Sequence, residues 1–115
     1  MIKVFAIWTR KPDMTHDEAV KYWLEKHVPL VIKTWPFVKK YVTNIGLPFN
    51  YKGWSEQEAP PFDGMAEFWF DVDMETFKEK MQSKEYKEIL APDEQNFIGT
   101  WNAMIVKEIT QKDEF

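Results

Sequence analysis

FDGMAEFWFDV, residues 62–72, is the stretch that decides the fold. Phe62, Gly64, Ala66, Phe68, Phe70 and Val72 fall on one side of an extended chain, and Asp63, Met65, Glu67, Trp69 and Asp71 on the other. Side chains of a strand alternate between faces, so this pattern predicts a strand with one face in a core. Met65 and Trp69 make the second face partly apolar as well, so it too calls for a cover.

Working outward, IKVFAIWT at residues 2–9 reads as a first strand, apolar on both faces and closed by the Lys11-Pro12-Asp13 turn. Thr15 with Glu18 makes a capping box, and Ala19, Trp23, Leu30 and Val31 recur at helical spacing over 16–34. Pro29 inside that helix predicts a kink or irregular turn just after His27, and Pro36 ends the element. Phe37–Ile45 reads as a second strand. Asp73 caps a helix carrying Met74, Phe77 and Met81. Ser83 caps a short helix with Tyr86, Ile89 and Leu90 inward, stopped by Pro92, and a last strand runs over Ile98–Ile109. Residues 1–110 thus form one domain, with 111–115 as a mobile tail.

The order β-α-β-β-α-β predicts an α+β, ferredoxin-like sandwich with both helices on one side of an antiparallel sheet. The uncovered apolar face predicts a homodimer, closed pairs being the commonest assemblies. At 44% hydrophobic and 30% charged, the composition excludes a disordered chain. A net charge of -4 argues against nucleic acid. The absence of cysteine excludes disulfides and thiolate chemistry, in keeping with the cytoplasm. The apolar run Val4–Trp8 is too short for a signal or membrane segment, so no membrane association is expected.

His27 falls with Trp23, Leu30 and Val31 on the sheet-facing side. It reads either as a general acid or base, or as a core histidine bonded to a carbonyl freed by Pro29. His16 reads as exposed. Asp93-Glu94 with Phe97 reads either as a solvated turn or as a carboxylate at a pocket mouth. Tyr41 and Asn44 on strand two, Asp63 and Glu67 on strand three, and Tyr22 and Trp23 on the first helix supply candidate hydrogen bonds and walls. Glu67 alternatively pairs across the dimer face. The 46–61 segment, with Phe49, Tyr51 and Trp54, reads as an arm that packs on the partner or closes the pocket, or as disorder. No local metal-ligand spacing and no phosphate-loop, nucleophile-elbow or dinucleotide motif is present.

Taken together, Arg10-Lys11-Pro12, Tyr22-Trp23-Leu24-Glu25-Lys26-His27-Val28-Pro29-Leu30, Tyr41-Val42-Thr43-Asn44, residues 62–70, Ser83-Lys84-Glu85-Tyr86 and Asp93-Glu94-Gln95-Asn96-Phe97 resemble the EthD family of dimeric α/β-barrel proteins. The likeness covers nearly the whole chain and departs from the family at the longer 46–61 insert. It implies a ferredoxin-like dimer whose sheets meet. Family members are linked to ether and aromatic degradation and to polyketide tailoring, including dehydratases; the wider superfamily holds muconolactone isomerases, cofactor-free monooxygenases and haem proteins. By position the resemblance makes His27 the acid or base and Asp93, Glu94 and Phe97 a second cluster.

The expectation is a cofactor-independent enzyme that isomerises or dehydrates a small cyclic or aromatic oxygenated metabolite. In it His27, Tyr41, Asn44 and Asp93 act in catalysis, and Tyr22, Trp23, Glu94, Phe97 and Trp54 bind substrate. Two alternatives stand beside it: an oxidoreductase, cofactor-free or with haem on His27, and a non-catalytic carrier of a hydrophobic metabolite.

Overall fold

The computed structural model describes residues 1–50, 55–56 and 60–115. Among the described residues six strands form: β1 (Ile2–Arg10), β2 (Val38–Ile45), β3 (Phe49–Asn50), β4 (Ser55–Glu56), β5 (Gly64–Phe70) and β6 (Ile98–Val106). β3 and β4 pair in a small ladder of their own within the 46–61 insert. The main sheet is antiparallel in the order β2-β5-β1-β6, with β1 between β5 and β6. This is the ferredoxin-like arrangement the alternating strands predict. Ile2 opposes Phe70 and Ala6 opposes Ala66, so the apolar rows of β1 and β5 share one face. The last strand ends three residues earlier than Ile109. Among the described residues no helix is long and apolar enough to cross a membrane.

The first crossover holds α1 (His16–Tyr22) and α2 (Val28–Thr34); the second holds α3 (Met74–Met81) and α4 (Ala91–Glu94). α1 begins as its capping box requires. Thr15 Oγ1 accepts from the Glu18 amide at 3.1 Å, and Glu18 Oε1 accepts from the Thr15 amide at 2.9 Å. At α3 the Asp73 carboxylate accepts from the Thr76 amide at 2.7 Å.

Between α1 and α2 lies one wide π-helical turn, Trp23–His27, and a second, Tyr86–Leu90, precedes α4. In the first the Val28 amide reaches back five residues to the Trp23 carbonyl, and in the second Ala91 reaches Tyr86. A proline follows each time, Pro29 and Pro92, which has no amide hydrogen to donate. The irregular turn therefore contains His27 instead of following it. The wide turn also explains a burial row: Ala19, Trp23, His27, Val31 and Trp35, spaced by four, are all 0–7% exposed. On a regular helix each four-residue step drifts ~40°, so the row would turn ~160° away by Trp35. One wide turn takes up part of that drift and keeps His27 facing the sheet.

Pro92 does not stop the second helical stretch. A proline is tolerated in the first turn of a helix, and here it opens α4, which runs on to Glu94. Asp93 and Glu94 are thus helical, and Ile89, expected inward, is 41% exposed.

Two apolar clusters fill the space between helices and sheet. One holds Ile2, Val4, Val31, Trp35, Phe70, Phe77 and Leu90; the other holds Trp8, Ala19, Trp23, Ala66 and Phe97. Trp8 meets Trp23 edge-on at 5.1 Å and Phe97 edge-on at 5.0 Å, each contact contributing roughly 0.5–1.5 kcal/mol beyond burial. Gly64 makes this stacking possible. A Cβ there would lie 2.4 Å from Trp8 Nε1 and 2.7 Å from Trp23 Cζ3.

The opposite sheet face carries Phe5, Ile7, Val42, Met65 and Trp69, all half-buried in the single chain, with Met104 65% exposed beside them. Lys3 and Lys40 flank the Trp69 ring at 4.4 and 4.7 Å. Glu67 pairs within the chain, with Lys3 at 3.1 Å and Asn44 at 3.1 Å.

Candidate active site

A cavity of about 480 Å³ lies between the two core clusters, drawing its lining from both. Its floor is the β1 and β5 row Val4, Ala6, Trp8, Ala66, Phe68 and Phe70, and its roof is Trp23, His27, Val31, Trp35, Leu90 and Phe97. The helices leave β6 only half-covered: Trp101 and Ile105 line the cavity yet are 52% and 48% exposed, which opens that side. The lining is mostly hydrocarbon and aromatic, and His27, Tyr41, Tyr86 and Glu94 bring polar groups to it. An apolar chamber with a few placed polar atoms is how small-molecule sites are built.

His27 is 7% exposed, and its Nδ1 lies 2.8 Å from Asp93 Oδ2. Asp93 Oδ1 accepts from the Tyr22 hydroxyl at 2.6 Å, and the Asn96 amide donates to that hydroxyl at 2.9 Å. The carboxylate can only accept, so Nδ1 carries the hydrogen and Nε2 keeps a free lone pair. Phe97, fully buried, leans over the ring at 5.1 Å. Burial pushes the His27 pKa below 6.5, and the Asp93 bond and charge only partly restore it. Burial pushes Asp93 up, but the bonds from Tyr22 and His27 outweigh it and leave its pKa below 3.8. At neutral pH the pair is a carboxylate holding a neutral imidazole, which is the arrangement of an oriented general base.

Tyr41 reaches the cavity from β2, its hydroxyl accepting from Trp23 Nε1 at 3.3 Å. Burial pushes its pKa up to about 12, so it keeps its proton and serves as a donor. Glu94 faces the same space, bonded by the Tyr86 hydroxyl at 2.8 and 3.2 Å. Burial raises its pKa above 4.5, and the neighbouring Asp93 charge adds to this against the Tyr86 bond.

The structure thus brings together His27, Asp93, Tyr22, Trp23, Tyr41, Glu94 and Phe97. Asn44 is a correction. It lies three residues from Tyr41 on one strand and so points to the other sheet face, where its amide donates to the Met65 carbonyl and to Glu67. Trp54 and Tyr51 lie outside the described residues, and so does the closing role expected of that insert. Asp63 is also elsewhere: it is 1% exposed and takes the Arg10 amide at 2.7 Å, the Arg10 guanidinium at 3.0 Å and His16 Nδ1 at 2.7 Å. His16, expected to be exposed, is therefore part of the clasp that ties the start of α1 to β1 and β5. Among the described residues no three His, Cys, Asp or Glu side chains converge as a metal site.

Sequence reasoning missed Tyr86 as the partner of Glu94, and Asn96 as the residue that steadies Tyr22. Asn96 belongs to the quoted Asp93–Phe97 motif. Its place beside a helix end that carries two acids was the available signal.

A family model described as EthD domain matches residues 11–100, most of the chain. No curated protein matches it. Among solved structures, an ethyl tert-butyl ether D (EthD) family protein from Bacillus halodurans C-125 superposes with a TM-score of 0.68 at 23% identity, over 95% of this chain and 99% of that one. An EthD-like protein from Ralstonia eutropha JMP134 gives 0.70 at 21% identity, over 99% and 96%. A dimeric ferredoxin-like protein of unknown function from Thermobifida fusca YX gives 0.58 at 15% identity, over 91% and 88%. These likenesses speak for a common fold, and the match over residues 11–100 identifies the chain as a member of the EthD domain family.

Proposed function

We propose that this protein is a small-molecule enzyme that moves a proton without a cofactor, at a carbon next to a carbonyl in a cyclic or aromatic oxygenated metabolite. The observation that carries this reading is the His27–Asp93 pair opening onto an apolar cavity. His27 Nε2 takes the proton. Asp93 holds the ring in the right tautomer and stabilises the imidazolium that forms. The electron pair left behind delocalises onto the carbonyl oxygen, and the Tyr41 hydroxyl donates to that oxygen as its charge grows. Return of the proton to another carbon gives isomerisation; loss of a group from the next carbon gives dehydration. Positioned acid–base groups of this kind contribute about 10²–10⁴-fold.

The cavity favours a flat, largely apolar compound, since aromatic rings such as Trp23, Trp35, Phe68 and Phe97 line it. We also propose a homodimer through the opposite sheet face. Phe5, Ile7, Met65 and Trp69 make that face apolar, and the Thermobifida protein of similar fold is described as dimeric. Replacing Met65 by Glu is expected to yield monomers in sedimentation velocity; an unchanged dimer would move the interface elsewhere.

The test of the activity uses α-tetralone, a bicyclic aromatic ketone, in deuterated buffer. Wild type is expected to exchange its α-hydrogens and His27→Ala to lose that exchange. Equal exchange by both proteins would remove His27 from the chemistry.

A further inference from the structure

We propose that Glu94 is a second catalytic group, the acid that protonates a departing oxygen, so that the reaction of this site is elimination of water from a β-hydroxy ketone. This rests on the proton-transfer reading above and selects one of its two outcomes.

The placement comes from the second wide turn. Tyr86, Leu90 and Glu94, spaced by four, all line the cavity. Successive helical residues point ~100° apart, so the same helix end turns Asp93 toward His27 and Tyr22 while it turns Glu94 into the cavity. The two carboxyls therefore have different surroundings. Asp93 has the Tyr22 hydroxyl, the Asn96 amide and an imidazole around it. Glu94 has the Tyr86 hydroxyl, and among the described residues no cation pairs with it. A carboxylate half withdrawn from water without a counter-charge is costly, which favours its protonated form. The upward shift of Glu94 agrees with this placement, and Asp93 shifts the other way. Two adjacent carboxyls driven apart by their environments are the usual basis for dividing acid and base roles.

The step balances without an oxidant or reductant. His27 Nε2 takes the proton from the carbon next to the carbonyl, and the electron pair moves onto the carbonyl oxygen under the Tyr41 hydroxyl. That pair then returns to form a carbon–carbon double bond as the bond to the β-oxygen breaks. The departing oxygen takes the Glu94 proton and leaves as water. An imidazolium and a carboxylate remain, and proton return through solvent resets both. The compound fitting this chemistry and this lining is a fused-ring β-hydroxy ketone that becomes aromatic on losing water.

Two probes separate the steps. α-Tetralone has no leaving group and reports proton removal alone; β-hydroxytetralone reports elimination through the fluorescence of the naphthol it forms. Glu94→Gln is expected to lose far more of its elimination rate, about 100-fold or more, than of its exchange rate with α-tetralone. Infrared difference spectra of wild type against Glu94→Gln, without any ligand, are expected to show a protonated carboxylic acid at neutral pH. Elimination at the wild-type rate in Glu94→Gln, an equal fall of exchange and elimination, or an ionised Glu94 in the infrared would each overturn the proposal. Wild type that exchanges α-tetralone but forms no naphthol would overturn it and leave the proton-transfer reading standing; wild type that does neither would remove both.

Discussion

Asp93→Asn is the most informative single change, because it alters one charge and almost no volume. In the wild-type protein the carboxylate accepts at 2.8 Å from His27 and at 2.6 Å from Tyr22. The amide keeps one accepting oxygen, which the short Tyr22 bond occupies, and so presents its NH₂ to His27 Nδ1. Two donors then face each other. The imidazole relieves this by moving its hydrogen to Nε2, leaving Nδ1 to accept. That tautomer has no lone pair toward the cavity, so the base is lost while the fold remains. Exchange of α-tetralone is expected to fall about 10²–10⁴-fold, the range for a misplaced base proton. Hydrogen bonds to a charged group contribute about 1.5–3 kcal/mol each and neutral ones about half that, so losing the charge on two bonds costs about 1.5–3 kcal/mol of stability. Urea denaturation measures the second quantity, and nitrogen NMR of the labelled histidine reads the tautomer directly. A variant that keeps the wild-type tautomer and the wild-type exchange rate would refute the reasoning.

Three further outcomes follow from the same geometry. Gly64→Ala places a methyl group against the indoles of Trp8 and Trp23 and is expected to cost about 1–3 kcal/mol in denaturation, with Tyr41 losing its Trp23 bond. Phe97→Ala removes a fully buried ring at a cost of about 3–5 kcal/mol and admits water beside His27, so the His27 pKa, read by proton NMR, rises toward 6.5. On acidification His27 and Asp93 work against the fold, while Glu94, held above 4.5, works for it. His27 is held below its unfolded value of 6.5, so as pH drops past 6.5 the unfolded chain takes up that proton first and gains on the folded one; Asp93, held below 3.8, adds a second loss lower down. The difference in denaturation midpoint between wild type and His27→Gln, followed across pH 6.5, is expected to show the His27 step.

Much of the fold was legible because strand pattern is a local signal. Residues 62–72 and 2–9 display their two faces in the order of their side chains, and Thr15, Asp73 and Ser83 mark helix starts by chemistry that acts within three residues. The uncovered second face of the sheet was legible for the same reason. The site was harder. Pro29 read as a kink and Pro92 as a stop, yet each follows a wide turn whose extra residue spends the missing amide without ending the helix, and only the four-residue row from Ala19 to Trp35 hints at this. Asn44 was misplaced although strand parity alone separates it from Tyr41. The His16–Asp63 contact joins residues 47 apart, and the His27–Asp93 contact residues 66 apart, and no local pattern encodes such pairs. For the second of them the resemblance to the family named both residues, and their contact came with the fold.

The central claim is that a neutral His27, held by Asp93, is the base of this cavity. The most direct measurement compares two titrations of the wild-type protein: the His27 pKa from NMR and the pH dependence of α-tetralone exchange. The account predicts one common value below 6.5, with exchange rising as His27 loses its proton. Exchange that continues unchanged through the titration of His27 would contradict it.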